Sequence, residues 1–197
     1  MEASPRGRPA AGDPFPLAAL TAGDLLKGYA AGAFTPVDVV EEVIGALEAT
    51  DAVCNVVVTD MYDSARADAE RAAAAWKEGT PSGPLAGVPV TIKDLLFVAG
   101  VPAHAGSPTM TSFVPEEDSA VVSMLKAAGA ILTCKTTTCE SGYKLSADSP
   151  VSGITRNPWN PTRTSGGAIG GAAAGAGARG EALPLPNPAR GSVPAPP

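Results

Sequence analysis

Apolar positions along the chain fall into runs of helical spacing separated by short extended runs. Thr21 stands where a helix N-cap would, with Asp24 three residues on, Leu25, Leu26, Tyr29 and Ala30 on one face, and Gly32 as the stop. Thr35-Pro36-Val37-Asp38 restarts a helix, with Thr35 as N-cap and Pro36 at the first helical position. Its stripe of Val39, Val40, Val43, Ile44 and Leu47 has the spacing of a core-facing helix. The β-branched run from Asn55 to Thr59 predicts a strand, and an Ala-rich helix follows from about Asp60 to Lys77. Val88 to Ile92, bounded upstream by Pro and Gly, predicts a buried strand that ends at Lys93. Ser119 can cap a helix reaching about Ala128, Gly129 ends it, and Ala130 to Lys135 predicts a second buried strand. Helix, glycine and strand in that order indicate an α/β unit.

After these runs the pattern loosens. Thr138 to Leu145 predicts one or two helical turns, and Ser149 to Arg163 reads as turn chemistry throughout, with Asn-Pro twice and Trp159 between. From Ser165 a Gly/Ala stretch opens, and Ala172 to Ala174 begin a helix. Leu183 to Pro197 is rich in Pro, which removes backbone donors and fixes φ, so it cannot extend a helix or sheet. The expected division is an extended or disordered arm over 1–16, a domain over 17–180 and a Pro-rich tail over 181–197, as if the chain stopped before its domain was complete.

Composition narrows the function classes. The 197 residues have room for one domain, and 45% hydrophobic content suits a globular core. A net charge of -6 without a basic stripe argues against nucleic acid as a partner. No apolar run is long enough to span a bilayer, and no secretory pattern opens the chain. Cys54, Cys134 and Cys139 are an odd number without metal-like spacing, and His104 is the sole histidine. A reduced, cytoplasmic protein with no metal and no cofactor is expected.

Lys93 is the first candidate for chemistry. At the end of a buried strand, with Leu95 to Val98 following, it would be partly desolvated; burial disfavours the ammonium and tunes a lysine toward general-base work. The alternative is an ordinary lysine snorkelling from a strand end and paired with Asp94. His104, between two turns, reads as a loop histidine without a catalytic task. Gly175, Gly177 and Gly180 match G-x-G-x-x-G but lack the preceding strand that a dinucleotide loop needs. The paired glycines of Gly166-Gly167-Ala168-Ile169-Gly170-Gly171 permit close approach of a substrate, or form a flexible linker.

The order of several blocks resembles the N-terminal portion of the amidase signature family of serine hydrolases. The match runs from about Leu20 to Gly180. It is carried by Gly83-Pro-Leu-Ala-Gly-Val-Pro-Val-Thr-Ile-Lys93-Asp94, Ala105-Gly-Ser-Pro108, Ala128-Gly-Ala-Ile-Leu-Thr-Cys-Lys135-Thr, Thr138-Cys-Glu140, and Thr155-Arg-Asn-Pro-Trp-Asn-Pro-Thr-Arg163-Thr-Ser-Gly-Gly167. The resemblance implies an α/β fold, a mixed sheet surrounded by helices, and a Ser–cis-Ser–Lys triad that hydrolyses the C–N bond of a small-molecule carboxamide. Lys93 would be the base, acting through a bridging serine. Gly166 and Gly167 would belong to the substrate-binding glycine block.

The chain departs from that pattern where the relay belongs. Ala168 occupies the bridging-serine position, and Ile169 stands where a second serine would. The family's spacing then leads to Ser192 as the nucleophile position, but Pro188 and Arg190 flank it where glycine-rich backbone donors belong. Three readings stay open: an impaired amidase, an inactive remnant that acts at most as a binding module, and a relative of the amidotransferase components that pass ammonia to a glutamyl-tRNA. An unfinished sheet edge would favour self-association.

Overall fold

The computed structural model describes residues 16–177. The expected arm falls almost wholly outside them, as do the Pro-rich tail, Gly180 and Ser192. Helix α1 (Ala22–Ala31) starts at Thr21, whose hydroxyl oxygen accepts from the Asp24 backbone N–H, and Gly32 closes it. Helix α2 (Pro36–Cys54) opens with a full capping box between Thr35 and Asp38. Its expected stripe, Val39, Val40, Val43, Ile44 and Leu47, is buried throughout. Two clusters share the work: Val39, Val43 and Leu47 join Leu25 and Tyr29 of α1. Val40 and Ile44 meet Ile131 and the alanines of α3 (Tyr62–Lys77). Full burial of such side chains stabilises by about 1.5–3 kcal/mol each before entropy is counted.

The central sheet has the order β1-β3-β2, from β1 (Val57–Asp60), β2 (Pro89–Lys93) and β3 (Ile131–Thr136). β1 runs antiparallel to β3, whereas β2 runs parallel to it across the crossover helix α4 (Ala120–Ala127). The architecture is therefore α/β with a mixed sheet and helices around it. The strand expected at Asn55–Thr59 sits slightly later, because Asn55 is taken as the left-handed C-cap of α2 at φ 56°. Among the described residues no helix is long and apolar enough to cross a membrane.

Register between the parallel strands decides which side chains share a face. Val90 pairs with Leu132, yet Ile92 pairs with Lys135, so β3 carries one extra residue over that interval. On one face Val90, Ile92 and Leu132 pack against Val98 and the α4 residues Val122 and Leu125. On the other face Ile131 meets α2. The bulge places Lys135 with Ile92, and Asp94 two positions on, on the α4 side. Lys93 and its partner Thr136 point to the α2 side.

One stretch read as turns throughout holds regular structure. β4 (Asp148–Ser149) pairs with β5 (Gly153–Ile154), and β6 (Arg156–Asn157) pairs with β7 (Asn160–Thr164), both antiparallel. The Asn-Pro signals are still used as turns. The Trp159 N–H donates to the Asn157 side chain at 2.9 Å, and the Thr162 N–H donates to that of Asn160 at 3.2 Å. Strands this short leave no periodicity to read. Helix α5 (Gly170–Gly177) closes the described chain and packs on α2 and β2. Gly175 and Gly177 lie inside that helix, not in the turn that leads into it, so they do not form a nucleotide-binding loop.

Candidate active site

Lys93 closes β2, and the chain turns immediately, with the Leu96 N–H donating to the Lys93 carbonyl at 2.9 Å. The residue is only 2% exposed. Burial pushes the ammonium below the ordinary lysine range, opposed by the weaker electrostatic pull of the Cys139 sulfur. Among the described residues Nζ has no hydrogen-bond or ion-pair partner.

Pairing of Lys93 with Asp94 is corrected by the structure. Adjacent strand residues point to opposite faces, and Asp94 instead accepts from Lys135 Nζ at 2.9 Å. Both members of that pair are buried, at 0% and 1% side-chain exposure. His104 lies beside them, Nδ1 being 4.0 Å from Asp94 Oδ2. Lys135 ends an apolar run just as Lys93 does, so its burial was legible; its carboxylate partner, 41 positions away, was not.

Two loops converge above the strand ends. The helical turns expected over Thr138–Leu145 shrink to a short 3-10 turn, Glu140–Gly142, in which Ser141 and Gly142 take positive φ values of 50° and 67°. Only glycine fits at position 142. A Cβ there would meet Leu95 Cδ1 at 2.5 Å and would lie 3.8 Å from Lys93 Nζ, so this backbone passes directly over the amine. Ser107 anchors the turn by donating to Glu140 Oε1 at 3.0 Å, and the Ser141 N–H donates to the Ala105 carbonyl at 2.8 Å.

The second loop is the glycine block. Gly167 N–H donates to the Leu145 carbonyl at 2.7 Å, and Thr138 Oγ1 donates to the Ala168 carbonyl at 2.9 Å. Ala168 is 7% exposed, and the peptides of this loop are trans, as are all among the described residues. Gly171 lets α5 sit against the chain just beyond β3, since a Cβ there would meet the Thr137 backbone N at 2.6 Å. Lys93, Gly166, Gly167 and Ala168 thus come to the same end of the sheet. Position 168 offers a methyl where a relay would need a hydroxyl, and the nearby Thr138 hydroxyl is committed to a carbonyl. A groove lined by Ser64, Asp68, Arg71, Val98, Lys126 and Leu132 holds none of these residues and lies elsewhere on the fold.

Comparison with known proteins agrees with this geometry. The Amidase family model matches residues 38–196. The A component of the glutamyl-tRNA(Gln) amidotransferase of Rhodopirellula baltica is 37% identical over 150 residues, covering 76% of this chain and 30% of the relative. Among solved structures, a fatty acid amide hydrolase superposes with a TM-score of 0.81 at 26% identity, over 84% of this chain and 29% of that one. The peptide amidase of Stenotrophomonas maltophilia gives 0.76 at 27% identity, over 82% and 34%. The chain spans about a third of the length of the relatives it matches. With the family model covering most of its length, the chain belongs to the amidase family, the amidase signature enzymes.

Proposed function

We propose that this chain carries the general-base part of an amide C–N hydrolase and that Ala168 impairs its turnover. The observation behind this reading is Lys93, buried without an ion-pair partner among the described residues and overhung by the Gly142 turn. A desolvated lysine holds a neutral amine near neutral pH more readily than an exposed one. As base it would take the proton of a serine nucleophile through an intervening hydroxyl. That serine would then attack the carboxamide carbon, and the leaving amine would recover the proton. Ser192 is the proposed nucleophile position. Gly166 and Gly167 are the proposed substrate-facing backbone.

Loss of one relay member costs orders of magnitude, because such groups act as a unit. The test is labelling with a serine-directed fluorophosphonate, followed by intact mass and peptide mapping. The wild-type chain is expected to stay unlabelled, while Ala168→Ser restores an adduct that Lys93→Ala abolishes. An adduct on wild-type Ser192 that requires Lys93 would overturn the impairment. If Ala168→Ser stays folded and unlabelled, the chain is a non-catalytic member of its family.

A second reading draws on the relatives, several of which are named as the A component of a glutamyl-tRNA(Gln) amidotransferase. In that reading the chain works inside a heteromeric assembly. A stable complex with the other amidotransferase components in size-exclusion chromatography would support it, and separate elution would exclude it.

A further inference from the structure

Two buried hydroxyls on the Lys93 side of the sheet lack hydrogen-bond partners among the described residues: Thr91 Oγ1 and Thr136 Oγ1. Thr91 precedes Lys93 by two positions on β2 and so shares its face. Thr136 is the register partner of Lys93 on β3, which puts it on that face too. Thr91 is 2% exposed and Thr136 0%, so bulk water reaches neither. Two hydroxyls thus stand in the interior on the Lys93 face with no partner among the described residues. Buried polar atoms in folded proteins are nearly always satisfied by protein or by ordered water, and a buried water takes two to four polar partners.

The charged surroundings are few. The Asp94–Lys135 pair occupies the opposite face. Cys139 approaches from the segment after β3, and Glu140 in the overlying turn is engaged by Ser107. Helix α5 brings no titratable side chain within Gly170–Gly177. The α2 residues that meet the sheet include the apolar Val39, Val40, Val43, Ile44 and Leu47, and the thiols on that side are Cys134 of β3 and Cys54 at the end of α2. The α2 carboxylates Glu42 and Asp51 are engaged by the backbone N–H groups of Leu17 and Val56.

We propose that Thr136 is a positioning residue for Lys93: with Thr91 it holds one ordered water that accepts from Lys93 Nζ and donates to both hydroxyl oxygens. This arrangement steadies the amine beneath the Gly142 turn and supplies the solvation that burial removes. It rests on the burial and register of Lys93 and on the two unpartnered hydroxyls, so it stands whether or not the chain hydrolyses amides.

The test is an NMR titration of the Lys93 side chain in the full chain labelled with 13C-lysine, the Cε signal being assigned by its absence from Lys93→Arg. Thr136→Val keeps the shape and removes the acceptor. The water then solvates the ammonium less well, and the Lys93 midpoint moves to lower pH. At fixed pH the ratio of amine to ammonium rises by about three- to tenfold. Thr136→Ser restores the wild-type midpoint, a rescue that a purely structural threonine would not give. Thr91→Val shifts the midpoint in the same direction, which keeps the test decisive should Thr136→Val fail to fold. An unchanged or upward-moving midpoint in a natively folded valine variant overturns the proposal.

Discussion

Two lysines stand at the last and the next-to-last position of neighbouring parallel strands of one small sheet, each almost wholly buried, and the fold treats them in opposite ways. Lys135 lies on the α4 face and closes a 2.9 Å ion pair with Asp94. Lys93 lies on the α2 face with no ion-pair partner among the described residues, beneath a glycine turn, with two idle hydroxyls for company. A charge in a low-dielectric interior must be paired or lose its proton more easily. Lys135 takes the first course and Lys93 the second. The paired lysine anchors the strand ends, and Lys93, with no counter-ion among the described residues, is the proposed proton-transfer group. Burial alone therefore does not separate the two lysines; the counter-ion does.

This contrast can be tested by removing its parts. Lys135→Met strands Asp94 as a buried, unpaired carboxylate and should cost about 3–5 kcal/mol, read from chemical denaturation. Lys93→Met replaces an amine that has no ion-pair partner among the described residues, so it should be neutral or mildly stabilising. Equal destabilisation by both substitutions would end the distinction. Gly142→Ala forces a side chain into a left-handed position and onto Leu95, for a loss of about 1–2 kcal/mol. If stability is unaffected, the turn does not clamp the Lys93 site.

The smallest effect is a pH dependence. The folded-state pKa of Lys93 lies below its ordinary 10.5. Between those two values the unfolded chain binds more protons than the folded one, so stability rises with pH across that window. Burial of Lys93 is least favourable below its folded-state pKa, where both states carry the charge and the fold must bury an ammonium. Thermal melts of wild type and Lys93→Met should therefore converge as pH rises toward 10.5, wild type gaining relative to the variant. Parallel curves would mean that Lys93 titrates as a solvated lysine.

Much of the scaffold was legible from local signals. Thr35, Pro36 and Asp38 fix the start of α2 through short-range hydrogen bonds and a preset φ. The stripe from Val39 to Leu47 and the run Val88–Ile92 announce a core-facing helix and a buried strand by period alone. The ribbons within 148–164 were not visible, because pairs of two residues carry no period and the Asn-Pro turns dominate the pattern. The tightness of the Glu140–Gly142 turn was hidden as well. It is imposed by Ser107, Ala105 and Leu95, all distant along the chain.

By itself the sequence determined the main helices and the core strands, the family, the placement of Lys93 at a buried strand end and the loss of a hydroxyl at Ala168, because each of these is written in short stretches of the chain. It also held half of the pairing answer, since Lys93 and Asp94 are adjacent on a strand and must face apart. Only the tertiary structure decided that Asp94 would meet Lys135 while Lys93 found no counter-ion among the described residues. That outcome depends on one extra residue in β3 between the Val90–Leu132 and Ile92–Lys135 pairs. A register shift turns a side chain from one face to the other, and register belongs to two strands and their packing helices together, not to either strand alone.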